Sequence, residues 1–465
     1  MNIRFMGAAR TVTGSRHLLT VNNHQILLDC GLFQGKNEGG VNRNISFGFD
    51  PHQVHCVILS HAHIDHSGML PRLVREGFSG KVYCTPATAD LCQIMLLDSA
   101  RIQENDVRYV NKRRQKRGQK SIEPLYSEND VRELLRLLVK VPYDTDWIVS
   151  KGVSFRFTDA GHILGSAAVS LTLTENERTV KLAFTGDVGR FHDLILREPQ
   201  PFPQADIILC ESTYGNRLHD TTEDSAAQLL EVVRHTCVEK KGRLLIPSFS
   251  LGRTQEIVYT LDRMKSAGLL PPIPVFVDSP LSTNATEIMR KHPENFNEDI
   301  LKYMETDPDP FGFNGLEYIQ EKEASQALNY EERPCIIISA SGMLEAGRIK
   351  HHVKHGISDE RNTILIVGYC SPGTLGSALV GGAKEVRIFG EPHEVKAEVV
   401  RIGSYSAHAD RNELLDFLKC QDPGKVKHVY LVHGETEAQN EFSKYLIETG
   451  FRSVSAPEFG DKVEL

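Results

Sequence analysis

The run Ser60-His61-Ala62-His63-Ile64-Asp65-His66-Ser67-Gly68 constrains this chain more than any other stretch. Four potential metal ligands stand within six residues, directly behind the apolar run Val54–Leu59. Val54–Leu59 reads as a buried strand, and Ser67-Gly68 followed by Met69-Leu70-Pro71-Arg72-Leu73-Val74 reads as a loop turning into a helix. The ligands therefore belong at a strand's C-terminal end. Imidazole and carboxylate together suit zinc or a related divalent ion. Their crowding points to two metals, because one tetrahedral zinc takes only four ligands from the whole protein. The alternative is a polar loop of hydrogen-bonded histidines, which fits a lone histidine better than an HxHxDH run behind a strand.

A chain of 465 residues exceeds one hydrophobic core, so two or three domains are expected. The net charge of −8 argues against a protein that coats nucleic acid, which would normally be basic. It does not argue against a nucleic-acid enzyme, because ligand carboxylates enter that sum bare and bound divalent ions would reverse the local sign. The nine cysteines are scattered without a CxxC pair, which favours reduced thiols and a cytoplasmic setting. The start Met1-Asn2-Ile3-Arg4-Phe5-Met6-Gly7 shows no secretory apolar region, and no window reaches a membrane-spanning length, so no membrane partner is expected.

Successive strands are expected at Ile3–Met6, Arg16–Val21 and Gln25–Asp29, with Asn22-Asn23 as a tight hairpin turn. Asp29 at the end of the third is either a turn former or a group that holds a metal-bound water or a ligand histidine. A helix near 69–76, a strand at Lys81–Thr85 and a long helical insertion over 87–140 follow. Inside the insertion, Lys112–Lys120 packs six cations into nine residues. Such a run ordinarily forms a solvated helix face or linker, and that reading is adopted over an RNA-guiding patch. Ser127-Glu128-Asn129-Asp130 opens an amphipathic helix with Leu134, Leu135, Leu137 and Leu138 toward the core.

Two further strands run into ligand candidates: Val153–Thr158 into Asp159-Ala160-Gly161-His162, and Val180–Thr185 into Gly186-Asp187-Val188-Gly189. Adjacent glycines let the backbone turn sharply and approach a site closely. With the cluster, they supply the third histidine and the bridging carboxylate that a two-metal hydrolase needs. Near the end, strand Val426–Val432 runs into His433-Gly434-Glu435, the same arrangement again, which makes His433 the candidate for the last ligand.

Between these segments the rhythm changes. Strand Asp206–Cys210 ends in Glu211. A helix Thr222–Lys240, strand Arg243–Pro247, helix Arg253–Ser266, strand Pro274–Val277, a helix near Thr283–Lys291, strand Cys335–Ser339, a helix near Ala346–Lys354, and strands Thr363–Gly368 and Glu385–Phe389 follow. This alternation implies a second domain, with a mainly parallel sheet, set within the chain of the first. Its post-strand loops carry Ser248, Ser250, Arg253, Ser279 and Ser341, small hydroxyls and a cation suited to phosphate, although loop and capping chemistry explain them almost as well. Ala397–Ile402 then leads through Gly403-Ser404-Tyr405-Ser406-Ala407-His408 to a helix near Arg411–Leu418.

Asp29, the run His61–His66, His162 and Asp187 resemble, in order, the metal-site motifs of the metallo-β-lactamase fold. Glu211, His408 in Ser406-Ala407-His408, and His433 in Val432-His433-Gly434-Glu435 resemble the three further motifs of the β-CASP subgroup, nucleases that process nucleic acids. Gly252-Arg253 and Gly342-Met343 are similar to its inserted domain. The resemblance runs from Gly7 to Glu435, and points to bacterial and archaeal ribonucleases similar to the endonuclease of the eukaryotic pre-mRNA 3′-end cleavage machinery.

This resemblance implies an αββα metallo-β-lactamase domain (1–209 and 395–465) with an inserted α/β β-CASP domain (210–394), the insertion serving as a lid over a dinuclear zinc cleft. It implies that one zinc takes His61, His63 and His162, the other takes Asp65, His66 and His433, and Asp187 bridges them. Asp29 would orient a ligand, and Glu211 and His408 would handle the proton at the leaving oxygen. DNA-processing members of the subgroup carry valine where His433 stands, which favours RNA as substrate. The alternatives are a thioesterase- or lactonase-like hydrolase on the same site, and a catalytically silent RNA-binding subunit. Endonuclease against exonuclease action and zinc against manganese stay open, as does the oligomeric state, a homodimer among its options.

Overall fold

The computed structural model describes residues 1–34, 43–219, 225–368, 370–371, 373–403 and 407–465. It divides into two compact units, Met1–Leu218 with His408–Leu465, and His219–Ala407.

The first unit is built on two seven-stranded sheets. One runs Lys462–Glu464, Asn2–Phe5, His17–Val21, His24–Leu28, Val54–Ile58, Lys81–Cys84, Leu138–Lys140. The other runs Val454–Ser455, His428–Val432, Ile207–Glu211, Arg178–Phe184, Ala167–Glu175, Val153–Asp159, Trp147–Ser150. A strand with both faces covered is apolar up to its end, as in Ile207–Glu211, where Ile207–Cys210 precede the site carboxylate Glu211, whereas Arg178–Phe184, antiparallel to Ala167–Glu175, begins with exposed Arg178 and Thr179. Asn22 and Asn23 turn the hairpin at φ 49° and 64°, with Val21 opposite His24, the left-handed pair that a two-residue turn requires.

The sheets face each other across one core, with Ile3, Phe5, Leu19, Ile26 and Ile58 from the first and Phe155, Phe157, Leu171, Phe184 and Leu209 from the second. The outer face of the second sheet packs Ile208, Cys210, Val429 and Leu431 against Leu414, Phe417, Phe442 and Leu446 of helices Arg411–Leu418 and Thr436–Glu448. Helices Leu70–Arg75, Pro86–Lys116 and Glu128–Leu135 bury Leu70, Leu73, Leu91, Leu96, Val131 and Leu134 on the other side. The layers are thus helix, sheet, sheet, helix, as expected. Phe157 is fully buried, its ring 4.9 Å from Phe155. Phe157→Ala is expected to cost about 3–5 kcal/mol, measured as a lower denaturation midpoint with an unchanged m-value.

The second unit carries a six-stranded sheet: Leu316–Tyr318, Val275–Val277, Cys335–Ser339, Arg243–Pro247, Thr363–Ile366, Glu398–Arg401. Every pairing in it is parallel. On one face Leu245, Ile337, Ile364 and Ile366 pack with Leu344, Ile349, Val353 and Leu379.

Several boundaries differ from those expected. Residues 210 to 218 group with the first unit, because Ile207–Glu211 is one strand paired along its whole length with His428–Val432. Residues 395 to 407 group with the second, because Glu398–Arg401 pairs with Thr363–Ile366. Glu385–Ile388 lies outside the parallel sheet and forms a two-stranded ribbon with Glu391–Glu394. The helix opened by the Ser127/Asp130 capping box stops at Leu135, and Leu138 belongs to an edge strand. Helix Ser225–Val233 continues as a π-helical turn over Arg234–Glu239. Thr222, at the expected start of that helix, and Ser404-Tyr405-Ser406 before His408 lie outside the described residues. Among the described residues no helix is long and apolar enough to cross a membrane.

Candidate metal centre

Strands His24–Leu28 and Val54–Ile58 run parallel in one sheet. In the other, Arg178–Phe184, Ile207–Glu211 and His428–Val432 run parallel, and Val153–Asp159 points the same way through the antiparallel Ala167–Glu175. Each delivers a candidate residue just past or at its C-terminal end: Asp29, His61, Asp187, Glu211, His433 and His162. The Ser60 carbonyl accepts from Ala167 N at 2.9 Å and fastens the two sheets beside the site. Short helix Ile64–Ser67 carries Asp65 and His66.

The turns need glycine where the sequence supplies it. Gly161 and Gly186 have φ 63° and 56°, and a β-carbon on Gly189 would sit 1.8 Å from the Gly161 carbonyl oxygen. Asp29 and His433 hold the same left-handed conformation without that freedom, at φ 57° and 51°. Asp29 N donates to Ile58 O at 3.1 Å and His433 N to Ala8 O at 2.7 Å, which pins both turns.

The side chains assemble into adjoining groups: His61, His63, His162 and Asp187; Asp65, His66 and His433; and Asp187, Glu211 and His408. In the first, His63 Nδ1 lies 3.2 Å from both His61 Nε2 and His162 Nε2. Asp187 Oδ2 stands 3.5 and 3.6 Å from those same Nε2 atoms. In the second, His66 Nε2 and His433 Nε2 are 3.1 Å apart, and Asp65 Oδ2 is 3.3 Å from His433 Nε2. Asp187 reaches this group also, with Oδ2 3.3 Å from His66 Nε2 and Oδ1 3.3 Å from His433 Nδ1.

Hydroxyls and a carboxylate behind the imidazoles set which nitrogen faces inward. Asp29 is fully buried. Its Oδ1 accepts from Ser60 N at 2.8 Å, and its Oδ2 accepts from Ser15 and Ser60 hydroxyls at 3.0 Å and lies 2.7 Å from His66 Nδ1. With its proton given to Asp29, the Ser60 hydroxyl accepts from His61 Nδ1 at 3.0 Å. Thr213 Oγ1 donates to the His433 carbonyl and lies 3.0 Å from His433 Nδ1. In each case Nδ1–H is engaged and the Nε2 lone pair points into the site. Ser15, Ser60 and Thr213 were not among the expected site residues, although Ser60 directly precedes His61 and Thr213 follows Glu211 by two positions.

Electrostatics favour neutral rings at His61 and His63, but a protonated His66 in the metal-free protein, whose Nε2 proton a bound cation would displace. Burial, reinforced by neighbouring imidazoles, holds His61 well below its ordinary value and His63 down at about 4, so both are neutral donors at pH 7. Burial alone would raise the carboxyls, but the surrounding imidazoles hold Asp65 down at about 2 and Asp187 well below the carboxylate range. His66 is held well above its ordinary value: burial opposes the charge, and Asp187, Asp29 and Asp65 outweigh it. Nitrogen lone pairs and ionised carboxylates converging at these distances repel one another unless a proton or cation lies between them. The donor set fits divalent metal, with imidazole-rich ligation of the kind zinc takes.

Beside the two groups, Glu211 is fully buried and its Oε1 accepts from Val188 N at 2.5 Å. The same Oε1 stands 3.4 Å from His408 Nδ1, which is 4.0 Å from Asp187 Oδ2. The five residues expected to hold phosphate belong to the second unit and are largely engaged in its own loops. Ser279 caps helix Pro280–Lys291, Arg253 is buried in an ion pair with Glu256, Ser248 accepts from Thr254 Oγ1 at 3.1 Å, and Ser341 bonds Ala346. Ser250 is half-buried, and its carbonyl accepts from Gln255.

The chain matches three family models: a metallo-β-lactamase superfamily domain over residues 18–193, a Beta-Casp domain over 254–379, and a Zn-dependent metallo-hydrolase RNA specificity domain over 392–457. "Ribonuclease TTHA0252" of Thermus thermophilus is 38% identical over 463 residues, covering 100% of both chains. "Transcription termination factor FttA" of Methanosarcina mazei is 30% identical over 465 residues, covering 97% of this chain and 70% of that protein. A crystal structure of a protein of unknown function from Enterococcus faecalis V583 superposes with a TM-score of 0.57 at 12% identity, over 100% of this chain and 99% of that one, a likeness of fold alone. Matched from end to end by the first of these relatives, and over 18–193, 254–379 and 392–457 by the three domain models, the chain belongs to the β-CASP family of metallo-β-lactamase-fold ribonucleases.

Proposed function

We propose that the protein is a dinuclear zinc ribonuclease that hydrolyses phosphodiester bonds to leave 5′-phosphate and 3′-hydroxyl ends, in RNA processing or decay. The observation that carries this reading is Asp187, whose carboxylate stands within 3.6 Å of histidine nitrogens in both ligand groups. In this reading His61, His63 and His162 hold one ion, Asp65, His66 and His433 hold the other, and Asp187 spans them. When bound, the pair supplies Lewis acidity, activating water near neutral pH and neutralising charge on the phosphate oxygens.

The chain's own residues do the rest. Asp29 fixes His66, Ser60 fixes His61 and Thr213 fixes His433, so the ligand atoms are held before substrate arrives. Water attacks phosphorus as the bond to the 3′-oxygen breaks, and that oxygen needs a proton. With Nδ1 of His408 turned to Glu211, Nε2 is the atom that delivers it. Glu211, anchored on Val188 N, orients the ring and balances its charge.

The test is digestion of end-labelled and internally labelled RNA beside a thioester, with metal analysis of the same sample. RNA turnover with about two zinc ions per chain is expected. Thioester turnover without RNA cleavage would instead indicate a small-molecule hydrolase, and less than about one metal per chain a silent binding subunit. Early loss of internal label separates endonucleolytic from end-initiated cleavage.

A further inference from the structure

Helix Pro86–Lys116 is 31 residues long, yet its buried positions stop at Ala100. A hydrogen bond of 2.8 Å between Ser99 and buried Tyr126 closes the base, and no residue from 101 to 125 is buried. The projecting half is nonetheless well tied. Asn111 exchanges two hydrogen bonds of 2.9 Å with Ile122, Arg114 Nε donates to Lys120 O at 2.7 Å, and Arg101 pairs with Glu128 at 3.0 Å. A helix that buries almost nothing gains little from packing, so its order serves something other than the core.

Its charge is concentrated. Residues 101 to 120 carry eight lysines and arginines against Glu104 and Asp106, in a chain of net charge −8. The helix dipole accounts for cations in the last turn, Arg113, Arg114 and Lys116, but its influence does not extend to Arg108 and Lys112. Arg108, Lys112 and Lys116 recur every four residues and so line one exposed face, about 6 Å apart along the axis. That spacing is comparable to the separation of neighbouring phosphates on a nucleic-acid strand. Like charges in this register destabilise a helix, and none of the three pairs with a carboxylate among the described residues. Tyr109 shares the face, 65% exposed, with the Arg113 guanidinium 5.9 Å from its ring.

We propose that this projecting arm is a second RNA-contact surface, with Arg108, Lys112 and Lys116 on consecutive backbone phosphates and Tyr109 stacked on a base. The inference rests on the ribonuclease reading above and extends it to how long substrates are held. Aromatic faces interleaved with cations suit a single strand without regard to sequence. The helix starts against the loop that follows His162, where Thr85 and Thr88 hydroxyls donate to Gly165 O at 2.6 and 2.8 Å, and its far end lies about 45 Å from that start at 1.5 Å per residue. A stacked strand at about 3.4 Å per nucleotide needs on the order of a dozen nucleotides to bridge that distance. The arm therefore selects for length.

The test compares wild type with the Arg108→Gln, Lys112→Gln, Lys116→Gln, Tyr109→Ala variant, and with a charge-retaining Arg108→Lys, Lys112→Arg, Lys116→Arg variant. Substrates are RNAs of about 6 and about 40 nucleotides, one below and one above the bridging length. For the neutral variant, KM for the long RNA is expected to rise on the order of tenfold or more at unchanged kcat, with no change for the short one. The slope of log affinity against log salt should fall by about 2, at roughly 0.7 per lost single-strand phosphate contact. The charge-retaining variant should behave as wild type. Equal KM values and equal salt slopes in wild type and neutral variant would overturn the proposal. So would a change in oligomeric state without a change in KM, which would make the arm a protein contact. Wild-type turnover of the short RNA tests the ribonuclease reading separately, since that substrate never reaches the arm.

Discussion

His408→Ala is expected to lower RNA turnover by about a hundredfold or more while the protein keeps its full metal content. The expectation follows from where the ring lies. His408 Nδ1 is 3.4 Å from Glu211 Oε1 and 4.0 Å from Asp187 Oδ2, and its ring is 4.4 Å from that of His162, so it borders the ligand groups without completing either. Burial pulls its titration down, but the carboxylates of Glu211, Asp187 and Asp65 outweigh burial and raise it to about 9 in the metal-free protein. The imidazolium is then charged throughout the neutral range and loses its proton as pH rises through about 9. Its ion pair with Glu211 stabilises the metal-free fold fully below about pH 6.5, and that contribution is lost as pH rises toward 9. Bound cations repel the imidazolium and bring the titration back toward neutrality, where an acid transfers its proton efficiently. Histidine NMR titration with and without metal reads this shift directly. The alkaline limb of the pH–kcat profile should disappear in the alanine variant, and full activity of that variant at neutral pH would remove His408 from the mechanism.

The second large effect concerns the metal itself. His66→Ala and His433→Ala should each lose metal and activity together, by more than a thousandfold in turnover if the two ions act as one unit. Either change removes a nitrogen from the Asp65 group and also withdraws a partner of Asp187, His66 at 3.3 Å from Oδ2 and His433 at 3.3 Å from Oδ1. The damage therefore extends to the neighbouring group. Metal analysis beside single-turnover cleavage distinguishes this outcome from that of His408→Ala. A His433→Ala protein that retained both ions and full turnover would show that His433 is not a ligand.

Much of the centre was legible in the sequence because its signals are local. HxHxDH is contiguous, and His162, Asp187 and His433 each follow an apolar run beside a glycine, a pattern that places a side chain at a strand end whatever the strand's partners are. What stayed hidden is what depends on those partners. Glu398–Arg401 has the composition of a strand in either unit, and only its pairing with Thr363–Ile366 assigns it to the inserted one. Ile207–Glu211 was divided by an expected boundary because Glu211 opens a motif, whereas hydrogen bonding keeps it in register with Val432. Ser60 and Thr213 were missed for a related reason. A hydroxyl beside a ligand is common, and its service to Asp29 or His433 appears only once residues up to 220 positions apart are brought together. The basic run reads as a solvated helix face or linker, and composition says nothing of projection beyond a core that ends at Ala100.

His66 and His433 face each other across 3.1 Å, although they stand 367 positions apart in the chain, with the whole inserted unit between them. At about 5–20 residues per second of synthesis, the ribosome adds the second roughly 20–70 seconds after the first. For that interval the nascent polypeptide, still beside its own messenger, holds His66 without His433. On the two-metal reading proposed above, the second ligand group would be complete only once strand His428–Val432 docks beside Ile207–Glu211, so a chain aborted earlier would lack the centre that cuts RNA.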